Sequence, residues 1–191
     1  MTSTDDVSPV LRVPAAYEQA GLIRDGLARE ILPGVLIAAD RPITRAVRAR
    51  AVREKLGSWE TDPNRGRAVG FGTAAWVHTG AWPGPAADPL DLVIGRNRRA
   101  PRLSGVRVRQ VDVPAEHLET IQGLQVTRPG RTAADVARDL PRAHALSALR
   151  RLQELHDVHP PQVLQILASM PYARGAAVGR EVVRAWADGL G

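Results

Sequence analysis

The sequence predicts a mixed α/β (α+β) protein: a reduced winged-helix-like arm over residues 1–40, then an α/β domain over 41–191 that ends in a helical segment. Three observations lead there. Short apolar, β-branched runs such as Leu90-Asp91-Leu92-Val93-Ile94 alternate with helical patterns through the first two-thirds of the chain. Beyond Thr132 the apolar residues recur only at three- and four-residue spacing, as in packed helices. Near the amino end, a Pro33-Gly34 pair between two apolar runs marks a β-hairpin.

The elements follow in order. Residues 1–12 are polar and read as a loose lead-in. Pro14 suits the first turn of a short helix through Tyr17 and Ala20 that Gly21 stops, and Leu22 to Gly26 is a second short stretch. The hairpin spans 27–38, and two short helices before a hairpin is the order of a small winged helix. Asp40 and Pro42 start a helix over about 43–56, ended by Gly57; Arg45, Arg48, Arg50 and Arg53 point all round it, which predicts a connecting helix rather than a DNA-reading one. Residues 57–67 form a loop, 73–78 a short helix, and TGAWPGPAADP a turn.

Leu90 to Ile94 is a buried strand, with Asp91 read as solvent-facing or at a strand edge. Arg96 to Arg102 is a basic loop, after which Val106, Val108 and Val111 alternate with Arg107, Arg109 and Gln110 in a strand with one wet, arginine-bearing face. Ile121 to Val126, around Gly123, is a third strand or hairpin arm. Thr132-Ala133-Ala134-Asp135 fits a capping box opening a helix. Leu146, Leu149, Leu152 and Leu155 predict a buried stripe, Pro160-Pro161 opens a further helix, and Val178, Val182, Val183 and Trp186 line the last.

Composition limits the function. With 191 residues, 44% of them hydrophobic, the chain can bury a core, which excludes a disordered chain. No apolar run nears the about 18 residues needed to span a bilayer, and the acidic start MTSTDDVSPV lacks a secretory pattern, so no membrane partner and a cytoplasmic location are expected. The absence of cysteine excludes a disulfide framework, a thiol nucleophile and a zinc knuckle. The net charge is +6, and every basic residue except Lys55 is arginine. Such an excess favours polyanion contact, although a GC-rich coding bias writes the same arginines.

Enzyme patterns fail on spacing. A restriction-type nuclease needs Glu-x-Lys beside acidic metal ligands, yet Lys55 directly follows Glu54. A nucleotidyltransferase needs a Gly-Ser turn shortly before two carboxylates two apart; Asp88 and Asp91 are three apart and Gly57-Ser58 lies far upstream. His156, Asp157 and His159 are metal-capable but sit at a helix end before Pro160, with His144, His78 and His117 scattered, so no metal site and no cofactor are expected. Phe71, Trp76 and Trp82 near the arginine loop could stack bases or pack the core.

Two ordered segments carry a resemblance. Gly70-Phe71-Gly72-Thr73-Ala74-Ala75-Trp76-Val77-His78-Thr79-Gly80 resembles a segment of the AbiEi-like antitoxin regulators of type IV toxin–antitoxin systems. The run from Gly123 to Arg138, with Arg131-Thr132-x-x-Asp135 as its most specific part, resembles another. The likeness covers roughly residues 13 to 185. It implies an amino-terminal winged helix that binds operator DNA and an α/β domain that antagonises a nucleotidyltransferase-type toxin, in a system associated with phage defence. It also implies a structural role for Arg131, Thr132 and Asp135, as a helix cap and a buried ion pair or hydrogen bond. Here the arm is shorter than the family's, with one helix compressed or missing, and the nuclease activity of relatives with a longer carboxy-terminal extension is not expected. The reading is a non-catalytic transcriptional regulator. Its DNA contacts come first from Arg12, Arg24 and Arg29 of the arm, and then from phosphate-gripping Arg96, Arg98, Arg99 and Arg102. The alternative is a protein-interaction module that has lost DNA binding and only engages a partner protein.

Overall fold

Val35, Leu36 and Ile37 are all buried, so the strand they form needs a neighbour on each side. That requirement organises the amino-terminal region of the computed structural model, which describes residues 10–11, 16–57, 66–81, 89–101, 104–170 and 173–189. β1 (Val10–Leu11) is followed by α1 (Ala16–Arg24), β2 (Ala28–Leu32) and β3 (Val35–Ala38), and the strands form an antiparallel sheet in the order β1-β3-β2. The expected hairpin is there, with Gly34 at φ +79° and its amide donating to the Glu30 carboxylate at 2.8 Å. Two expectations are corrected. Val10 and Leu11 are not loose lead-in but pair with Ile37 and Leu36, covering the open edge of β3. The two short helices are one, because Gly21 lies inside α1; an interior glycine costs only about 1 kcal/mol relative to alanine.

α2 (Arg45–Leu56) starts at Thr44, whose hydroxyl accepts from the Val47 amide at 3.3 Å, and stops at Gly57. The larger sheet is mixed. β4 (Arg67–Val69) leads into α3 (Phe71–Thr79); β5 (Leu90–Ile94), β6 (Val106–Gln110), a 3-10 turn at Ala115–His117, β7 (Leu118–Ile121) and β8 (Leu124–Thr127) follow, and the strand order is β6-β5-β4-β8-β7. Of β4, Arg67 was expected to end a loop and Ala68–Val69 had no expected element; three residues are too few for a period, and the strand is held by pairing of Val69 with Leu92 on one side and Val126 on the other. β4 and β8 are parallel neighbours, and β8 passes through Arg128 into α4 (Pro129–Asp139). Two strand–helix units therefore lie side by side, with both helices starting at the same end of the sheet.

α5 (Arg142–His156), α6 (Pro160–Ala168) and α7 (Ala176–Ala187) complete the chain's described elements, and α4 touches all three. One core joins the small sheet, α2 and the larger sheet; a second fills the space among α4 to α7. α2 touches β1, β2 and β3 as well as β7 and β8, which makes it the connector its scattered arginines predict. α3 is buried at every position and gives Ala74, Trp76 and Val77 to the first core and Ala75 to the second. Leu155 departs from the expected stripe at 48% exposed. At about 100° per residue, nine residues carry it some 180° from Leu146, so a strict three-residue repeat walks off the buried face. Val178, at the edge of the α7 stripe, is likewise 54% exposed. No helix among the described residues is long and apolar enough to cross a membrane.

Candidate functional site

The arginines predicted to meet DNA fall into separate places. Arg12 and Arg102 lie outside the described residues. Arg24 ends α1, exposed and 3.2 Å from Asp25, and Arg29 is exposed on β2, donating to the Arg41 carbonyl. Arg96, Arg98 and Arg99 are exposed together on the loop after β5 of the other sheet. That loop is held by Asp112, which accepts from the Arg96 amide at 3.0 Å, and by Gln110, which donates to the Arg98 carbonyl at 2.9 Å.

A denser constellation sits where the parallel strands β4 and β8 end, the end of an α/β sheet at which binding crevices form. Phe71 opens α3 at φ +52°, an unusual backbone for a residue with a side chain. Two guanidiniums lie over its buried ring, Arg109 at 4.2 Å and Arg138 at 4.8 Å from the ring centre. Arg109 reaches from β6 to Asp91 at 3.0 Å and forks onto both oxygens of Asp139 at 2.8 and 2.6 Å. Arg107 also approaches Asp91, at 3.2 Å. Asp91 is therefore not solvent-facing but 5% exposed beneath two arginines, its amide donating to the Thr73 hydroxyl at 2.7 Å. Burial lifts its carboxyl above the usual range despite the arginines. Burial works against the Arg109 charge, yet Asp91 and Asp139 hold its pKa above normal. On the arginine face of β6, Arg109 is tied into the protein while Arg107 stays 47% exposed, and with Arg174 they line a cleft of about 680 Å³.

Behind it, Arg131 (1% exposed) donates to Asp135 at 3.0 Å, and Asp135 (0%) also accepts from Arg138 at 2.8 Å. Thr132 donates to the Thr127 carbonyl at 2.9 Å and accepts from the Thr127 hydroxyl at 2.7 Å, tying α4 back to β8. This corrects the capping box: the helix begins earlier, at Pro129, the cap position is Arg128, and neither Thr132 nor Asp135 serves a first-turn amide. His78 donates to the same Thr127 carbonyl at 2.7 Å, and its burial holds its pKa down to about 3, so its Nδ1 is bare and unpartnered. Arg48 crosses from α2 to the carbonyls of Val77 (3.0 Å) and His78 (3.3 Å), covering the negative end of α3; burial lowers its pKa to about 10.

The other candidates have structural partners. His156 shares a hydrogen bond with the His78 carbonyl at 3.1 Å, and His159 one with Asp157 at 2.9 Å. No group of three or more metal-capable side chains gathers among the described residues. Phe71 and Trp76 are buried, which removes them from base stacking, and Trp82 lies outside the described residues. Sequence reasoning missed the Asp91–Arg109–Asp139 network; its visible signal was a carboxylate inside the otherwise apolar run of β5. It also missed Arg138, three residues after Asp135 on one helix face.

Residues 67–183 match the family described as the AbiEi antitoxin C-terminal domain, and the chain belongs to that family. The matched stretch runs from β4 into α7, so it contains the whole larger sheet and the network just described. A solved structure with which the chain shares likeness is that of the RV2827C protein from Mycobacterium tuberculosis, at 18% identity and a TM-score of 0.45, covering 91% of this chain and 68% of that one. No curated protein matches the sequence significantly.

Proposed function

We propose that this protein is a non-catalytic cytoplasmic antitoxin and transcriptional regulator that binds operator DNA of its own operon and neutralises a nucleotidyltransferase-type toxin. The observation that carries the reading is the family match over residues 67–183. Residues 1–40 act as the DNA-contacting arm and 41–191 as the toxin-facing unit. The exposure of Arg24 and Arg29 on the arm and of Arg96, Arg98 and Arg99 on the loop after β5 supports it, the proposed contacts being to phosphates rather than base edges. Arg12 and Arg102 belong to the same proposed set. A gel shift on the operon's upstream DNA tests it. Binding is expected at low salt and should weaken steeply as salt rises, because neutralised phosphates release counterions. Replacing Arg29, Arg96, Arg98 and Arg99 with Gln should reduce both affinity and salt slope; absence of binding at low salt, or indifference to these changes, refutes the DNA reading.

A second reading is a protein-interaction module without DNA binding. It is favoured by Ile23 and Leu27, both exposed beside Arg24 on the arm. Co-purification with the neighbouring gene product, with operator affinity no higher than for unrelated DNA, would select it.

A further inference from the structure

The start of α4 brings two arginines together, Arg128 at the cap position and Arg131 in the first turn. The cap position is Arg128, whose side chain has no acceptor atom, and no side chain caps the helix. The first turn carries no acidic residue, although the amino end of a helix favours negative charge. Arg128 is exposed and donates through Nε to the Leu118 carbonyl at 2.9 Å, which fixes its guanidinium beside the helix end.

The second observation is independent of the helix. Arg131 and Arg138 share the single carboxylate of Asp135. Arg131 is 1% exposed, and its Nη2 has no hydrogen-bond partner. A buried charged donor left unmet is costly. The same residue lines two adjoining clefts, of about 420 and 490 Å³, with Gly130 beside it in the first. Gly130 is also where α6 comes closest: a Cβ there would meet Gln162 Nε2 at 3.0 Å and Ile166 Cδ1 at 3.3 Å. The glycine lets α6 pack close, and Gln162 adds an amide to the cleft wall.

From this geometry we propose that the cleft between the start of α4 and α6 is a binding site for a phosphate group, held by Arg128, Arg131 and the first-turn amides of α4. A phosphate dianion offers acceptors to both guanidiniums and to backbone N–H groups at once. Glu116, exposed on the cleft rim, repels the dianion and limits affinity. None of the proposed DNA-contacting arginines lines the cleft that holds Arg128, while Arg96 lines the adjoining one. The group can arrive as free phosphate or as the terminal phosphate of a nucleotide.

Calorimetric titration of the full chain with sodium phosphate and with adenosine 5′-monophosphate, at constant ionic strength set with chloride, tests the site. Saturable binding of phosphate is expected. Tighter binding of the monophosphate identifies a nucleotide as the source, and equal or weaker binding identifies the free anion. Arg128→Gln should weaken binding about tenfold, as expected for one hydrogen bond to a charged group. Glu116→Gln should tighten it, and Arg142→Gln, an exposed arginine outside the cleft, should leave it unchanged. Arg128 and Glu116 are exposed, so these variants keep the test clear of any folding defect from replacing Arg131. No saturable phosphate binding by the folded protein, or equal binding by Arg128→Gln, overturns the assignment.

Discussion

Acidification should unfold this protein through one imidazole. His78 is buried, its Nε2 is committed to Thr127, and its pKa is held down to about 3 by burial, with Arg45, His156 and Arg48 adding repulsion against the Thr127 hydrogen bond. The unfolded chain takes up the proton below about pH 6.5, the folded protein only near 3. The stability contributed by the neutral ring is therefore fully present above pH 6.5 and is lost as pH falls toward 3. At 1.36 kcal/mol per unit, the whole shift corresponds to about 5 kcal/mol, and the part expressed at pH 5 to about 2 kcal/mol. Urea unfolding followed by tryptophan fluorescence at pH 7, 6 and 5 measures it. His78→Gln, whose amide can still donate to Thr127, should be nearly flat over that range. Asp91, raised by burial, acts in the opposite sense at acid pH but is common to both proteins, so the difference between them isolates the histidine. A wild-type protein equally stable at pH 7 and pH 5, or a variant with the same slope, would refute the reasoning.

Three stability predictions accompany those for operator and phosphate binding. Asp135→Asn leaves Arg131 and Arg138 buried without their carboxylate and should cost about 3–5 kcal/mol in chemical denaturation. Glu154→Gln, which breaks the exposed pair with Arg151, should cost less than about 1 kcal/mol; similar losses for the two would contradict the charge assignment. Gly175→Ala should lower the unfolding temperature sharply, because its φ is +77° and a Cβ would sit 2.2 Å from the Arg138 carbonyl oxygen. An unchanged melting curve would mean that this turn does not hold Arg138.

Much of the fold was legible in the residues. The hairpin about Pro33-Gly34, the buried run of β5, the turn at Gly123 and the helices beyond Thr132 are each written in a few neighbouring positions. The errors share a cause. Val10–Leu11 and Arg67–Val69 are too short to show a period, and each is a strand only because a distant strand pairs with it. Thr132 and Asp135 match a capping pattern by spacing, but the helix starts at Pro129, and their partners are Thr127, Arg131 and Arg138.

The candidate site shows the division most clearly. The order of residue types alone determined the α/β class, the connecting role of α2 and, through the segments around Trp76 and Arg131, the family resemblance. Tertiary structure alone decided that Asp91 is buried beneath arginines, that two guanidiniums lie over Phe71, and that Arg131 is left with an unmet donor. The reason is range. Periodicity and turn chemistry act over a few residues, whereas Arg109 meets Asp139 across 30 positions and His78 meets Thr127 across 49. Whether an arginine is a solvated charge or a buried structural cation depends on which remote carboxylate or carbonyl the packed chain brings to it.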